Sequence, residues 1–288
     1  MKKKICISGN CVTKVIPHFL RTNEDFNAAY EIEDLKPIFM IKKEDLEPFK
    51  AVVSSCDIFL TQPIGGQKYV EMGIDTESIK KIMKPGTELF SIPVPYFIGY
   101  FPEQFYLHDS TAALVGVCEG LPSPYHNKII FWGYLNGKSV EDTLDLLYAP
   151  KTLKNISQLT ADSLAELRRR EKNLSFKISD FLESQYMRKR LFWTINHPAN
   201  ALIQYMSSEI LKILEIQSIV KEIAQEFLAG YVTPILPSVA NELHLQLQPN
   251  SEIRETTYTL DFIKKTYHYY DEHPKLIELN KDVVKDLI

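Results

Sequence analysis

Two residues in this sequence have side chains and neighbours suited to nucleophilic and base chemistry. The first is Cys11, which follows Gly9-Asn10 after the short apolar run 4–8. This is the order of a strand, a turn and the first turn of a helix. Exposed backbone N–H groups and the helix dipole favour a thiolate there, so we expect a lowered thiol pKa and an anion site at Gly9-Asn10-Cys11. The alternative is that Cys11 is a small buried apolar side chain.

The second candidate is His197, in the segment Thr194-Ile-Asn-His-Pro-Ala-Asn200. The residues before it have strand character, and the proline after it suits a first helical turn, so His197 is predicted at a strand-to-helix junction. A histidine acts as a base when its second ring nitrogen is held, and Asn196 or Thr194 is placed to hold it. The alternative is a structural histidine that caps a helix or fills the core.

Gln62 follows the apolar run 57–61 and precedes Gly65-Gly66. In a parallel sheet this loop lies beside the loop that follows the first strand. The Gln62 amide there either donates to a developing oxyanion or makes an ordinary turn hydrogen bond. Gly65 and Gly66 either allow a ligand to approach the backbone or form a tight turn.

These loops need a fold that brings them together. The predicted strands cover 4–8, 26–32, 57–61 and 88–92, with helices at 43–53 and 76–83. Strands that alternate with helices at this spacing predict an α/β fold, a three-layer parallel sheet with helices on both faces. Its site loops are expected after Ser8, Thr61 and Ile92.

The second half of the chain is predicted to be mainly helical. Its longest helix is predicted at 160–186, and its one strand near 190–195. The stretch 93–124, rich in Pro, Tyr, Phe and Gly, is predicted to be an ordered surface excursion or lid. No linker divides the chain, so we predict a single α/β domain over residues 1–288, with a sheet-rich core in 1–135 and a mainly helical part in 136–288.

Composition excludes several classes of function. A net charge of −4, from 33 basic and 37 acidic residues, gives no electrostatic case for nucleic acid or an anionic membrane as partner. No apolar run is long enough for a membrane span or a signal peptide, which predicts a cytoplasmic protein. The four cysteines contain no CxxC pair and are expected to be reduced thiols. HExxH, GxGxxG and P-loop motifs are absent, so we expect no metal and no nucleotide site of these types.

Two further groups of residues are candidates for ligand contacts. The basic clusters 168–170 and 188–190 either pair with phosphates or are solvated helix faces. Four aromatic residues either form a wall for a sugar or adenine ring or pack onto the domain. They are Tyr96, Tyr100, Phe101 and Phe105.

Five short motifs occur in a characteristic order. They are Ile-Ser-Gly-Asn-Cys at the first strand, Leu-Thr-Gln-Pro-Ile at the third, Gly99-Tyr-Phe-Pro102, Arg169-Arg-Glu171 and Phe192-Trp-Thr-Ile-Asn-His-Pro-Ala-Asn200. In this order they resemble the WcbI-type family of capsular polysaccharide-biosynthesis acetyltransferases, over most of the chain to about Leu245. The resemblance implies an SGNH- or flavodoxin-like fold, similar to the GDSL-type hydrolases, with coenzyme A (CoA) in the form of acetyl-CoA as donor and a saccharide hydroxyl as acceptor.

The resemblance also assigns roles to single residues. Cys11 stands where the hydrolases have their nucleophilic serine, and Gln62 falls near their oxyanion asparagine. His197 and the proline after it match the last hydrolase block, but Thr194 replaces the aspartate that normally orients the histidine. Val12 departs from the glutamine expected after the cysteine.

We therefore predict an acyltransferase that moves an acetyl or similar acyl group from acyl-CoA to a saccharide. Either Cys11 takes the acyl group while His197 activates the acceptor, or His197 deprotonates the acceptor for direct attack while Asn10, Gln62 and the Cys11 N–H hold the oxyanion. The alternatives are an esterase and a non-catalytic CoA- or glycan-binding module. The predicted CoA contacts are Gly9, Lys14, Tyr100, Arg170 and Arg190. The predicted substrate contacts are Gly65, Gly66, Tyr96, Asn196 and Asn200.

Overall fold

The computed structural model describes residues 2–111, 114–116, 120–121, 123–248 and 253–285. Cys118, predicted to be a reduced thiol, lies outside these residues. The strands are β1 (Lys3–Ser8), β2 (Tyr30–Glu33), β3 (Ile58–Thr61), β4 (Glu88–Ser91), β5 (Gln104–Phe105), β6 (His126–Asn127), β7 (Phe192–Thr194) and β8 (His197–Pro198). The helices are α1 (Val12–Leu20), α2 (Glu24–Ala29), α3 (Leu46–Ser55), α4 (Gln67–Met72), α5 (Thr76–Ile82), α6 (Lys128–Leu135), α7 (Val140–Tyr148), α8 (Ile156–Glu171), α9 (Ser179–Gln185), α10 (Asn200–Ile213), α11 (Pro237–Glu242), α12 (Leu260–Glu272) and α13 (Pro274–Asn280). Short 3-10 helices cover Ile38–Met40, Lys43–Asp45 and Lys281–Val284.

The chain forms two compact units, each assembled from separate segments. The first comprises Met1–Tyr96, Glu166–Ser184 and His197–Leu228. The second comprises Phe97–Ala165, Gln185–Asn196 and Ala229–Ile288. Neither unit begins or ends at residue 135, where we predicted the sheet-rich part to end. The single-domain assignment stays a prediction.

A four-stranded parallel sheet with the strand order β2-β1-β3-β4 organises the first unit. The chain passes from β1 to β2 on one side and returns to β3 on the other, so the direction of the connections reverses between β1 and β3. In such sheets ligands bind outside the carboxyl ends of the strands at this reversal. The predicted α/β fold class is confirmed, and the loops after Ser8 and Thr61 both follow strands that flank the reversal.

Both faces of this sheet are buried. Successive strand residues point to opposite faces, so Cys6 lies on one face while Ile5 and Ile7 lie on the other. Cys6 packs in a cluster with Phe49 and Val53 of α3, and Ile5 and Ile7 are also buried. Near-continuous apolar strands are typical of a parallel sheet covered on both sides.

Two predictions of secondary structure from the sequence were wrong in part. Residues 26–32 were predicted as a strand, but 24–29 form α2, because the Asn23 side chain accepts a hydrogen bond from Phe26 N and caps the helix. The predicted helix 160–186 is two helices, α8 and α9. The buried Glu171 carboxylate ends the first and accepts hydrogen bonds from Ile178 N and Ser179 N at the start of the second.

The second unit is mainly helical, with a core built from α6, α7, α11, α12 and α13. Part of the stretch predicted as a surface excursion or lid belongs to this unit, and that prediction was wrong for residues 97–105. Phe97, Tyr100 and Phe101 are completely buried, because burying aromatic rings removes a large apolar area from water. No helix among the described residues is both long enough and apolar enough to cross a membrane.

Candidate functional site

The loops after β1 and β3 are joined through Gln62. The Gln62 backbone N–H donates to Ser8 O at 3.0 Å. Its side-chain Oε1 accepts from Asn10 N at 2.8 Å, and its Nε2 donates to Pro93 O at 3.1 Å. Gln62 is 2% exposed. The predicted neighbourhood of Asn10 and Gln62 therefore exists, and in it the Gln62 carbonyl oxygen shapes the first loop.

Gly9 is required by this arrangement, since a Cβ atom at this position would lie 2.3 Å from Gln62 Oε1 and 2.7 Å from Thr13 Cγ2. We expect Gly9→Ala to displace Gln62, to break its bond to Asn10 N and to lower the free energy of unfolding by roughly 2 kcal/mol. Denaturant unfolding measures this change. Gly65→Ala is the matched control, because nothing lies within 4 Å of its added Cβ. Equal stability of the two variants would contradict the prediction.

Cys11 stands at the N-cap of α1. Asn10 organises this turn, since its Oδ1 accepts from Val12 N at 3.0 Å and its backbone oxygen accepts from Thr13 N at 3.1 Å. Burial raises the pKa of the half-buried Cys11 thiol, although the N–H groups of Cys11 and Val12 act to lower it. The lowered pKa expected from the sequence was wrong, because the desolvation of a thiolate outweighs the local dipoles. Cys11 is therefore held as a thiol at neutral pH.

The backbone of this turn nevertheless keeps a donor for an anion. Within the described part of the chain, the Cys11 N–H makes no hydrogen bond to another residue and acts only on its own thiol. The Asn10 N–H, in contrast, is already bonded to Gln62. A ligand oxygen at the start of α1 would meet the Cys11 N–H and the positive end of the helix dipole.

His197 begins β8, three residues before α10. It belongs to the same unit as Cys11, and α1 and α10 pack against each other in that unit. The imidazole is half-buried, and burial lowers its pKa below the usual 6.5. The ring is consequently neutral at pH 7, which is the protonation state of a general base.

The predicted substrate contacts have different surroundings. The buried Asn200 donates to Ile223 O and Gln225 O, so this amide fastens a loop of its own unit to α10. Asn196 is half-buried and bonded to tyrosine side chains of the second unit. Gly65 and Gly66 border open space before α4.

The residues predicted to contact CoA also lie in different surroundings. Lys14 is half-buried on α1. Arg170 bonds Glu166 and lies 5.7 Å from the centre of the half-buried Tyr96 ring. Arg190, in the second unit, pairs with Glu255 and borders a cavity of about 470 Å³. Tyr100 has no exposed surface, and its hydroxyl bonds two backbone oxygens, so it offers nothing to a ligand and fits the packing alternative.

Both the sequence and the fold of this chain are similar to those of known proteins. The sequence model of the family "Polysaccharide biosynthesis enzyme WcbI" matches residues 4–218. No curated protein matches the chain in sequence. A solved structure of WcbI is similar in fold, with a TM-score of 0.80 and 19% identity over 99% of this chain and 95% of that chain. WcbI is described there as a novel polysaccharide biosynthesis enzyme, in a native form without a disulfide bond between CoA and one of its cysteines.

Proposed function

Because the chain belongs to the WcbI family of polysaccharide biosynthesis enzymes, we propose that it transfers an acetyl or similar acyl group from acyl-CoA to a saccharide hydroxyl. The observation that carries this proposal is that one unit holds a half-buried cysteine at the N-cap of α1 and a half-buried histidine three residues before α10. His197 has a lowered pKa and Cys11 a raised one, both through burial. A neutral imidazole can take a proton from a hydroxyl, whereas a protonated thiol is a weak nucleophile.

Cys11 is the proposed place for the thiol end of CoA. The description of the WcbI structure refers to a disulfide between CoA and a cysteine, and such a bond requires the two sulfurs to lie side by side. Of the described cysteines in this chain, Cys6 and Cys56 are completely buried, and Cys11 is partly accessible. We therefore propose that Cys11 and its N–H face the thioester of the bound donor.

Acyl-CoA supplies an activated carbonyl whose leaving group is a thiolate. In the proposed reaction His197 removes the proton from the acceptor hydroxyl, and the acceptor oxygen forms the new ester bond as the carbon–sulfur bond breaks. The Cys11 N–H stabilises the charge on the carbonyl oxygen. His197 then returns its proton to the departing sulfur. Direct transfer suits the raised thiol pKa better than an acyl-cysteine route does.

Replacing Cys11 distinguishes the two routes. For direct transfer we expect Cys11→Ala to keep acyl transfer within roughly tenfold of the parent, because the backbone N–H survives the substitution. The measurement is the rate of CoA release from acetyl-CoA with a saccharide acceptor. Cys56→Ala, which removes a buried thiol of the same unit, is the control.

Complete loss of transfer in Cys11→Ala, with a parent protein that gains the mass of one acyl group on incubation with donor alone, would establish the acyl-cysteine route instead. The same assay separates the other functions. Release of acid from an acylated saccharide without CoA would indicate an esterase, and calorimetric binding of CoA without turnover would indicate a binding module.

A further inference from the structure

The segment that follows β2 is fastened to the loop that carries Cys11. Ile38 N donates to Gly9 O at 2.8 Å, and Gly9 lies two residues before Cys11. Measured from the Cys11 Cα through this bond, the Phe39 Cα is at most about 18 Å away, because consecutive Cα atoms lie about 3.8 Å apart. The segment 38–43 therefore lies beside the start of α1, and both belong to the first unit.

Two large apolar side chains of this segment point outward. Phe39 is 52% exposed and Met40 is 54% exposed. Their neighbours Ile38 and Ile41 are buried in the apolar cluster around α3, and Met40 N donates to Pro37 O at 2.9 Å, so the short 3-10 helix is held in place. A single exposed apolar side chain is common, but two adjacent ones on a fixed turn form an apolar surface suited to a flat ring.

Positive charge lies next to these two side chains. Lys42 and Lys43 are exposed, and neither ammonium group forms an ion pair within the described part of the chain. The carboxylate of Asp45, two residues further on, pairs with Lys36 at 2.5 Å instead, and Glu44 is exposed. In a protein whose net charge is −4, two adjacent ammonium groups of this kind are suited to bind phosphate groups.

We propose that this segment binds the nucleotide end of acyl-CoA. Phe39 and Met40 pack against its adenine ring. Lys42 and Lys43 bind its phosphates. The inference rests on the proposed function, in which the thioester of the donor faces Cys11.

The chemistry of the donor and the position of the segment support this assignment. The pantetheine arm of CoA joins its thiol to its phosphates, so a donor with its sulfur at Cys11 extends its nucleotide along a neighbouring surface. In parallel α/β sheets that bind dinucleotides, the phosphates lie at the helix after the first strand, and the ribose reaches the end of the next strand. In this chain that strand is β2, and the segment 38–43 follows its carboxyl end.

Phe39→Ala tests the contact with the adenine ring. We expect the calorimetric Kd of CoA to rise at least about fivefold, because stacking of a base on an aromatic side chain contributes on this scale. Pantetheine has the same thiol arm but neither adenine nor nucleotide phosphates, so its Kd should stay within about twofold of the parent value. Ile219→Ala is the matched control, since it removes an exposed apolar side chain from the same unit, and it should bind CoA like the parent.

The double variant Lys42→Gln/Lys43→Gln tests the contact with the phosphates. We expect its Kd for CoA to rise about tenfold at low salt and to depend less on salt concentration than that of the parent, because screening weakens contacts between charges. Lys80→Gln/Lys81→Gln removes two adjacent exposed ammonium groups from the same unit and should bind CoA like the parent.

The replaced side chains are exposed, and thermal unfolding checks that each variant is folded. A parent-like Kd of CoA in Phe39→Ala, or equal losses for CoA and pantetheine, would overturn the assignment of the adenine contact. A parent-like Kd with unchanged salt dependence in Lys42→Gln/Lys43→Gln would overturn the assignment of the phosphate contact.

Acyl transfer by the parent protein is measured in parallel to separate failure of this inference from failure of the proposed function. If the parent transfers the acyl group and both variants bind CoA like the parent, the inference fails and the proposed function stands. If the parent binds CoA but transfers nothing, the proposed function fails, and the Kd values of the variants still decide the binding surface. If the parent does not bind CoA, both fail.

Discussion

Replacing His197 by alanine should lower kcat/KM for acyl transfer by roughly 10²- to 10⁴-fold, the usual contribution of a positioned general base. The reason is its protonation state and position. Burial keeps the imidazole neutral at pH 7, and His197 lies in the same unit as Cys11. The measurement is steady-state transfer from acetyl-CoA to a saccharide acceptor. His268→Ala, which removes an exposed histidine from α12, should leave the rate unchanged.

The pH dependence of the parent enzyme tests the same assignment. The pKa of His197 is lowered from 6.5 by burial, so the unprotonated base predominates at pH 6.5 and above. We expect kcat/KM to fall only as the pH drops through this lowered pKa. His197→Gln, which retains a polar side chain but no base, should be slow at every pH. A parent rate that does not change on acidification, combined with an active His197→Gln, would contradict the assignment.

Replacing Glu103 by glutamine should stabilise the protein at alkaline pH. Glu103 is completely buried in the second unit, and no side chain among the described residues donates a hydrogen bond to its carboxylate. Burial raises the pKa of Glu103 from 4.5 to about 8, and the Lys128 ammonium offsets this only in part. The carboxyl is therefore protonated in the folded protein at pH 7 and ionised in the unfolded chain.

The direction in which stability changes with pH follows from the number of protons that each state binds. Between pH 4.5 and about 8 the folded state binds more protons than the unfolded state, so the contribution of Glu103 to stability is fully present below pH 4.5 and is lost as the pH rises to about 8. A shift of this size corresponds to roughly 3 to 5 kcal/mol. Glu103→Gln carries no such loss. The free energy of unfolding of this variant should equal that of the parent near pH 4.5. Near pH 8 it should exceed the parent value by roughly 3 to 5 kcal/mol.

Urea unfolding across this pH range measures the difference between the two proteins. Glu141→Gln, an exposed substitution on α7, serves as control and should follow the parent curve. Parallel pH profiles for Glu103→Gln and the parent would show that the Glu103 carboxyl is not protonated on folding.

Local patterns in the sequence were sufficient for the elements that hold Cys11. Strands at 4–8, 57–61 and 88–92 were predicted within one residue at each end, because a short apolar run bounded by turn residues is a local signal. The start of α1 after Gly9-Asn10 was predicted for the same reason. The order of the motifs also identified the family, which the match over residues 4–218 confirms.

Structural features that depend on residues far apart in the sequence were not predicted. The break between α8 and α9 depends on a buried carboxylate that caps the second helix from the end of the first. The apolar spacing continues across this break, so periodicity alone predicted one helix. The tyrosines that hold Asn196 are 90 and 71 residues away from it, and no local pattern links them to the His-Pro segment.

The sequence by itself therefore determined the parallel sheet, the strand-to-helix junction at Cys11 and the family. Each of these depends on neighbouring residues or on the order of short motifs along the chain. Only the tertiary structure decided the chemical state of the two candidate residues. The helix N-terminus alone predicted a thiolate at Cys11, yet the residues packed around it raise the thiol pKa. Burial also keeps His197 neutral. Desolvation depends on every group that surrounds a side chain, and that environment exists only once the chain has folded.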